Sequence, residues 1–377
     1  MSFQDSKKQK STSKLTKAVL FHIFLVSLGF YYVKFLSSKE YTINIEDIEL
    51  NQLRTQRANE SVKCYQDNFG EIDGKRLQEV LTAARQPKIG KTIFFHVTEC
   101  NPSGLITLTP RQACAIESAA FNNPTVDVFV LFASPTYVPN NLDSSVIKAL
   151  LKYKNIFLRN NNLWIYTEDT PAGGWFRGES IFRSDFLTTH LSEFMRLVTL
   201  WRYGGIYVNL DVLVLDDLYY FPPNTIGALD NSTVGNAVIN VDDGGESHNV
   251  VATILKHFVE NFKGDSLEHN GAQQITTVLK EKICKVNDTQ SMTAEQCWGM
   301  DVYPSRTYYP IEKENARYLF EEEHISEAME VTYFTLTVRL WDEVTKDSKY
   351  KVGSVSALGL HAYSNCPRIY KSAGAYL

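Results

Sequence analysis

A long helix pattern that runs directly into an apolar strand pattern is the feature that most constrains the fold of this chain. The helix pattern extends over about Ser184–Arg202 and ends at Gly204-Gly205, where glycine can adopt the left-handed backbone that closes a helix. The strand pattern Ile206–Leu215 follows at once and is apolar except at Asn209 and Asp211. Strands of this kind are typical of sheets that are buried on both faces, so a parallel sheet covered by helices is expected.

Upstream segments show the same alternation of strands and helices. Thr92–Val97 and Asp127–Phe132 have the composition of buried strands, and Thr109-Pro110 between them opens a helix that reaches Ala120. Further expected elements are a helix at Ser144–Lys154, strands at Ile156–Leu158 and Leu163–Tyr166, a strand at Asn236–Val241, helices at Asn249–Phe262 and Gly271–Cys284, a strand at Thr332–Arg339 and a helix at Val355–His361. This order predicts an α/β fold with a doubly wound parallel sheet.

Composition allows a large core and excludes one class of partner. Hydrophobic residues make up 44% of the 377 positions, which is enough for one large globular domain. The formal net charge is −5, and no basic tract accompanies the globular part. Nucleic-acid binding needs a basic surface, so no nucleic-acid partner is expected.

The N-terminus has the layout of a membrane signal anchor. Five lysines precede an apolar run from Ala18 to Val33, and Lys34 closes the run. We expect a cytoplasmic tail at residues 1–17, a transmembrane anchor at 18–36, a stem at 37–90 and a lumenal domain at 91–377. A cleaved signal peptide is the alternative, although no small-residue cleavage site follows the apolar run.

Sequons and cysteines also favour a lumenal location. Asn59, Asn231 and Asn287 each begin an N-glycosylation sequon. All six cysteines follow the apolar run, and an even number permits complete pairing in an oxidising compartment. Cys284 with Cys297 is the favoured pair because the loop between them is short, and Cys100 with Cys114 comes next. The rest of the pairing stays open, and free buried thiols are the alternative.

Two polar residues interrupt the apolar strand after the glycine pair. Their spacing of two places Asn209 and Asp211 on the same side of an extended strand. A carboxylate in such a run is costly to bury unless a cation or another partner meets it. Asp211 is therefore a candidate ligand-binding residue at the carboxyl end of a strand, where open α/β sheets bind ligands. The alternative is a strand that has reached solvent.

Several separate motifs, in one order, resemble the α-1,4-glycosyltransferase family. They are WRYGGIYVNLDVLVL at 201–215, RQACAIESAAFNNP at 111–124, FVLF at 129–132, HLSEFMRL at 190–197, and the later segments GNAVIN, HNGAQQITTVLKEKIC and YYPI. The similarity runs from about Lys91 to the C-terminus.

This resemblance implies a Rossmann-like, GT-A type nucleotide-sugar domain in a Golgi membrane protein of type II topology. Family members transfer a sugar from a UDP-sugar to a galactose-terminated glycolipid or glycan, with retention of anomeric configuration. The resemblance carries the D-x-D donor site to Asn209 and Asp211. It implies that Asp211 binds a divalent metal, typically Mn²⁺, which bridges the donor diphosphate.

Three positions depart from the family pattern. Asn209 replaces the first acid of D-x-D, Glu193 replaces an aspartate on the helix, and Arg339 replaces a histidine near the C-terminus. Arginine has no lone pair for a metal. Our hypothesis is that Arg339 partly substitutes for the metal at the diphosphate, with weak or absent Mn²⁺ dependence. The alternative is drift in a copy whose catalysis has weakened.

Further site residues follow from the resemblance. Arg196 is expected either to pair with Asp211 or contact the donor, or else to form an ordinary ion pair on its helix. Asn270 and Gln273 are candidates for sugar hydroxyls, although Asn270 can instead cap a helix. His361 is the remaining candidate metal ligand, and a structural histidine is the alternative. Trp341 is a candidate for stacking on a sugar face or for the core.

The leading expectation is a retaining α-1,4-glycosyltransferase that moves galactose or N-acetylgalactosamine from a UDP-sugar to a galactose-terminated glycosphingolipid. The alternative is a catalytically weakened or inactive Golgi relative that binds glycolipid or a partner glycosyltransferase. A complex with other Golgi glycosyltransferases is compatible with both.

Overall fold

A computed structural model describes Ser27, residues 45–66 and residues 70–377. The chain divides into the units Met1–Arg54 and Thr55–Leu377, and the sheet and the site belong to the second unit. This unit includes residues 55–90, which the sequence pattern assigned to a stem. Among the described residues, no helix is both long enough and apolar enough to span a bilayer. The expected anchor at 18–36 lies outside these residues, apart from Ser27.

Eleven strands and thirteen α-helices are assigned in the described ranges. The strands are β1 (Gly74–Arg76), β2 (Thr92–Val97), β3 (Asp127–Phe132), β4 (Tyr137–Pro139), β5 (Ile156–Asn160), β6 (Gly205–Val208), β7 (Val212–Val214), β8 (Thr225–Ala228), β9 (Val234–Val241), β10 (Asp301–Tyr303) and β11 (Thr337–Arg339). The helices are α1 (Ile45–Tyr65), α2 (Pro110–Asn122), α3 (Ser145–Leu150), α4 (Leu163–Glu168), α5 (Gly173–Arg177), α6 (Leu187–Tyr203), α7 (Gly245–Asn261), α8 (Gln274–Val278), α9 (Ser305–Tyr308), α10 (Ile325–Val331), α11 (Asp342–Thr345), α12 (Ala357–Asn365) and α13 (Pro367–Ser372).

Seven strands form the central sheet in the order β10-β8-β9-β6-β2-β3-β5. Strands β6, β2, β3 and β5 pair in parallel, whereas β9 is antiparallel to both of its neighbours, β6 and β8. The sheet is therefore mixed, and the prediction of a fully parallel sheet was wrong at β9. The α/β class itself is confirmed.

Two hydrophobic cores cover the two faces of this sheet. Ile93 and Phe95 of β2 belong to one core together with buried residues of α2, α12 and α13. Phe94 of β2 and Tyr207 of β6 belong to the other core together with α6 and α7. Because alternate side chains of a strand point to opposite faces, a continuous apolar run such as β2 supplies both cores.

Local signals explain several element boundaries. Thr109 and Gln112 form a reciprocal capping box at the start of α2. Gly204, with φ of 60°, closes α6 by donating its N–H to Leu200 O at 2.9 Å, as the glycine pair predicted. The next glycine, Gly205, has φ of 78° and lies where a Cβ would collide with the carbonyl oxygen of Thr92 on β2.

Other boundaries differ from the predicted ones. Leu163–Tyr166 was predicted as a strand but begins α4, because the side chain of Asn162 accepts a hydrogen bond from the Ile165 N–H and starts a helix. The strand predicted at Thr332–Arg339 shortens to β11, since Thr332 N–H still donates to Ala328 O of α10. The helix predicted at Gly271–Cys284 is divided into the segments His269–Gln273, α8 and Leu279–Ile283, with a non-helical backbone at Gly271.

All six cysteines form disulfides. The Cys284–Cys297 pair is confirmed. The second predicted pair, Cys100 with Cys114, is wrong, because Cys100 pairs with Cys64 and Cys114 pairs with Cys366. The latter disulfide joins α2 to the segment between α12 and α13, 252 positions later in the chain. The asparagines of the three sequons, Asn59, Asn231 and Asn287, are exposed.

Candidate functional site

A cavity of ≈ 780 Å³ opens at the carboxyl ends of β2 and β6. Its size is within the range of small-molecule sites, and strand ends are where open α/β sheets bind ligands. Several parts of the chain supply side chains to it. They include the end of β2 (His96), helix α6 (Thr188, Ser192, Glu193, Arg196), the segment after β6 (Asn209, Leu210, Asp211), the segment before α8 (Glu268, Gln273) and the C-terminal region (Lys313, Arg339, Trp341, Asp342, Glu343).

Asn209 and Asp211 lie in a turn rather than in a continuous strand. Strand β6 ends at Val208, and β7 begins at Val212 in a separate two-stranded sheet with β11. The Asn209 side chain accepts a hydrogen bond from the Tyr207 hydroxyl at 2.7 Å. The prediction of one strand over Ile206–Leu215 was wrong, because the chain leaves the central sheet at this turn. Both polar residues nevertheless line the cavity, as expected for a strand end.

Asp211 and Arg339 form the central ion pair of the site. Arg339 Nε lies 2.9 Å from Asp211 Oδ2, and the side chains are 13% and 8% exposed. The register of β7 and β11 produces this pair, since Arg339 lies opposite Val212. Asp211 Oδ1 is buried and has no hydrogen-bond partner within the described residues. A buried, unpartnered carboxylate oxygen in a cavity is a position where a ligand group can bind.

The guanidinium of Arg339 is held from three sides. Besides Asp211, its Nη2 lies 3.4 Å from each carboxylate oxygen of Glu343. Its Cζ lies 4.1 Å from the Trp341 ring centroid, a cation–π distance. Burial acts to lower the pKa of Arg339, but the carboxylates of Asp211 and Glu343 outweigh burial and raise it. Arg339 is therefore a permanent cation at the wall of the cavity.

Trp341 has a left-handed backbone, with φ of 55°. This conformation is rare for a bulky residue and is found where surrounding structure enforces it, often at functional sites. The indole N–H donates to Ile311 O at 2.9 Å, so the ring is fixed. Trp341 is 5% exposed and lines the cavity. The ring therefore packs in the core and also lines the cavity, and stacking on a sugar face stays a prediction.

Helix α6 contributes a carboxyl group with an unusual environment. Glu193 is 7% exposed, and its Oε2 has no hydrogen-bond partner within the described residues. Burial raises the pKa of Glu193 to about 8, although Arg196 acts in the opposite direction. The side chain is therefore mainly protonated at neutral pH and is able to donate a hydrogen bond into the cavity.

Arg196 lines the same wall but makes neither of the predicted ion pairs among the described contacts. Its Nη1 donates to the carbonyl oxygen of Asn236, and its Nη2 lies 3.2 Å from Ser192 Oγ. The guanidinium stacks 4.7 Å above the Tyr207 ring centroid. Arg196 thus bridges α6 and β9, with its charge next to the cavity.

His96 is a cavity residue that sequence reasoning missed. Its Nε2 lies 3.0 Å from Thr199 Oγ1 of α6, and its buried Nδ1 has no hydrogen-bond partner within the described residues. Burial lowers its pKa to about 3, and Arg196 lowers it further. The ring is therefore neutral at physiological pH. One signal was present, since a histidine near the end of an otherwise apolar strand marks a strand end.

Two predicted site residues lie outside the cavity lining. Asn270 makes hydrogen bonds with both backbone groups of Lys263 and lies 3.0 Å from His190 Nε2, so it holds the segment before α8 in place. His361 lies on α12, and its Nε2 is 2.9 Å from Thr332 Oγ1. Burial lowers the pKa of His361 to about 4. Gln273, in contrast, does line the cavity.

Acidic side chains outnumber basic ones in the lining of the cavity. Nine Asp and Glu residues line it, against the three basic residues Arg196, Lys313 and Arg339. Four of the acids, namely Asp211, Asp342, Glu343 and Glu193, belong to the walls described here. Burial raises the pKa of Asp342 to about 6, Asp211 raises it further, and Arg111 opposes them. A polyanionic ligand therefore needs concentrated positive charge in order to bind here.

The residues present do not fit the implied Mn²⁺ site. Asp211 Oδ2 is paired with Arg339, and Asn209 is neutral and accepts a hydrogen bond from Tyr207. His361 points to Thr332 on another part of the fold. Over the described ranges, no group of three or more His, Cys, Asp or Glu side chains has a geometry that could hold a metal ion. A cation is already fixed where the family pattern implies a metal ligand.

Comparisons with known proteins match this arrangement of segments. The family model described as "Glycosyltransferase sugar-binding region containing DXD motif" matches residues 109–233, and the "Alpha 1,4-glycosyltransferase conserved region" matches residues 244–373. The first match includes the Asn209–Asp211 turn, and the second includes Arg339 and Glu343. Together they include most strands of the central sheet and most of the residues that line the cavity, although His96 at the end of β2 and Asn236 of β9 lie outside both matches.

Similar proteins are named for two related activities. Lactosylceramide 4-alpha-galactosyltransferase of Mus musculus is 29% identical over 269 residues, which cover 70% of this chain and 72% of that protein. The Homo sapiens protein of the same name is 26% identical over 307 residues, covering 79% and 82%. Alpha-1,4-N-acetylglucosaminyltransferase of Homo sapiens is 23% identical over 263 residues, covering 69% and 75%.

Proposed function

Because this chain belongs to the α-1,4-glycosyltransferase family and is a hexosyltransferase, we propose that it transfers galactose or N-acetylgalactosamine from a UDP-sugar to a galactose-terminated glycosphingolipid, with retention of anomeric configuration. The glycolipid acceptor is inferred from the relatives named for lactosylceramide. We further propose that the domain is of the GT-A nucleotide-sugar type, in line with the site at the strand ends.

The observation that carries this proposal is the Asp211–Arg339 pair at the end of β6. It positions a permanent cation 2.9 Å from a buried carboxylate at the wall of a large cavity. When the bond between the anomeric carbon and the diphosphate breaks, negative charge develops on the leaving UDP. A fixed cation stabilises that charge without having to reorganise during the reaction.

The cavity residues divide the remaining tasks of the reaction. Glu193, with its raised pKa, is able to donate a hydrogen bond to a hydroxyl of the donor sugar. Trp341 offers a fixed aromatic face beside Arg339 for the sugar ring. The acceptor hydroxyl forms the new bond to the anomeric carbon, and its proton passes to the departing diphosphate oxygen. Such a step needs no protein nucleophile, so none is assigned.

We also propose a Golgi membrane location, with an anchor at 18–36 and the catalytic domain in the lumen. Its support is the pairing of all six cysteines and the exposure of Asn59, Asn231 and Asn287, which suit an oxidising compartment with N-glycosylation. An anchored enzyme and a lipid acceptor share one surface, which favours their encounter.

A transfer assay tests the proposed function directly. Full-length protein in detergent micelles is incubated with UDP-galactose, UDP-N-acetylgalactosamine or UDP-N-acetylglucosamine and with lactosylceramide, and the product is identified by mass spectrometry and glycosidase digestion. We expect an α-linked product with one of the first two donors. Asp211→Ala, which removes the partner of Arg339, should lower kcat/KM by about 100-fold or more. Absence of transfer from every donor, with UDP bound, contradicts the proposal.

A further inference from the structure

One carboxylate in the cavity lies between two cations. Glu343 Oε1 is 3.4 Å from Arg339 Nη2 and 3.7 Å from Lys313 Nζ. All three residues line the cavity. We call this three-residue arrangement the Glu343 bridge.

The Glu343 bridge is weak in comparison with the ion pair beneath it. Its distances exceed the 2.7–2.9 Å of a direct charge-assisted hydrogen bond, whereas Arg339 and Asp211 are 2.9 Å apart. The Glu343 and Lys313 side chains are 37% and 41% exposed, so water screens their attraction. Asp211 therefore fixes the guanidinium, and Glu343 is the partner that a ligand can replace.

The geometry suits a diphosphate better than a carboxylate. A guanidinium binds two phosphate oxygens through parallel N–H groups, and an ammonium acts as a point charge beside them. A diphosphate also carries more negative charge than one glutamate. The other cavity arginine, Arg196, already donates to Ser192 and to the Asn236 carbonyl. Arg339 and Lys313 are thus where positive charge concentrates in an otherwise acidic cavity.

We propose that Glu343 occupies the place of the donor diphosphate and competes with it. When a nucleoside diphosphate binds, its phosphate oxygens replace the Glu343 carboxylate on Arg339 and Lys313. This inference rests on the proposed function, since it assigns the diphosphate of that same donor. The inference adds two points to the proposed function. The protein itself supplies the cationic charge, so the nucleotide binds without a divalent ion. Removal of the Glu343 carboxylate therefore strengthens donor binding.

Calorimetric titration of UDP into the full-length protein in detergent micelles, in EDTA, tests the proposal. Glu343→Gln should lower the Kd roughly three- to tenfold, because it removes the competing charge and keeps the side-chain size. The matched control is Glu314→Gln, which removes a charge from the same cavity at a residue without an ion pair in the described part of the chain. It should change Kd by less than about twofold.

Loss of either cation should have the opposite effect. Arg339→Met or Lys313→Met should raise the Kd about tenfold or more. Wild-type Kd values in EDTA and in Mn²⁺ should agree within about twofold. Circular dichroism and thermal melting confirm that each variant is folded. Because the Glu343 and Lys313 side chains are partly exposed, their variants are expected to fold normally.

Three results overturn the inference. The first is a UDP Kd for Glu343→Gln that is equal to or higher than the Kd for Glu314→Gln. The second is UDP binding that is lost in EDTA and restored by Mn²⁺. The third is no UDP binding under any condition. Failure of the proposed function is distinguishable. If UDP binds in EDTA and Glu343→Gln binds it more tightly while no sugar is transferred, the proposed function alone fails. Mn²⁺-dependent transfer with no effect of Glu343→Gln leaves the proposed function and removes this inference.

Discussion

Replacement of Glu193 by glutamine should increase the free energy of unfolding relative to the wild type, and this gain should become larger as the pH rises. Glu193 is 7% exposed, and one of its oxygens has no hydrogen-bond partner within the described residues. Its pKa is raised by burial from 4.5 to about 8. A glutamine has nearly the same shape and cannot ionise, so it isolates the cost of the charge.

The direction and size of the effect follow from proton linkage. Between pH 4.5 and 8, unfolding releases the proton of Glu193, because the unfolded carboxyl group is ionised and the folded one is not. The free energy of unfolding of the wild type therefore falls as pH rises, by about 1.4 kcal/mol per pH unit in the middle of this range. Integrated from pH 5 to pH 8, the loss is roughly 3–4 kcal/mol. The glutamine variant lacks this loss.

Urea denaturation at pH 5, 6.5 and 8 measures the difference in unfolding free energy between the variant and the wild type. All other titrating groups are shared, so they cancel in the difference. Glu268→Gln is the control, because Glu268 lines the same cavity but is exposed. A Glu193→Gln difference that stays constant across this pH range, like the control, would refute the reasoning that burial keeps this carboxyl group protonated.

Three further predictions concern other positions in the fold. Gly271→Ala should lower the melting temperature by several degrees and reduce kcat/KM, because the added Cβ would overlap the buried carboxyl group of Glu193. The control Gly174→Ala should change neither quantity, because Gly174 has open space around it. Asn209→Asp combined with Arg339→His should weaken UDP binding in EDTA, and Mn²⁺ should then lower the UDP Kd of this variant at least tenfold, because two metal-ligating groups replace an amide and a cation. A UDP Kd that does not respond to Mn²⁺ counts against this prediction. His361→Ala should cost about 1–3 kcal/mol of unfolding free energy and leave the UDP Kd within about twofold, and a loss of UDP binding would show that the histidine acts at the site.

Part of the fold and of the site was predictable because its causes are local. The capping box at Thr109 and the positive φ of Gly204 depend on a few adjacent residues. The apolar runs of β2 and β3 are long enough to identify buried strands. The Cys284–Cys297 pair closes a short loop. Asp211 lines the cavity, because the turn that follows β6 lies at the edge of the sheet.

The amino-acid sequence by itself determined the α/β class, the resemblance to α-1,4-glycosyltransferases and the placement of Asn209 and Asp211 at a ligand-binding edge of the sheet. Only the tertiary structure decided that Arg339 pairs with Asp211, 128 positions away, and that Lys313 and Glu343 lie beside them. These contacts arise from the pairing of β7 with β11, which brings the C-terminal region to the cavity. The physical reason is that local patterns specify how each segment folds. The burial and charge around a side chain, in contrast, depend on distant segments that pack against it.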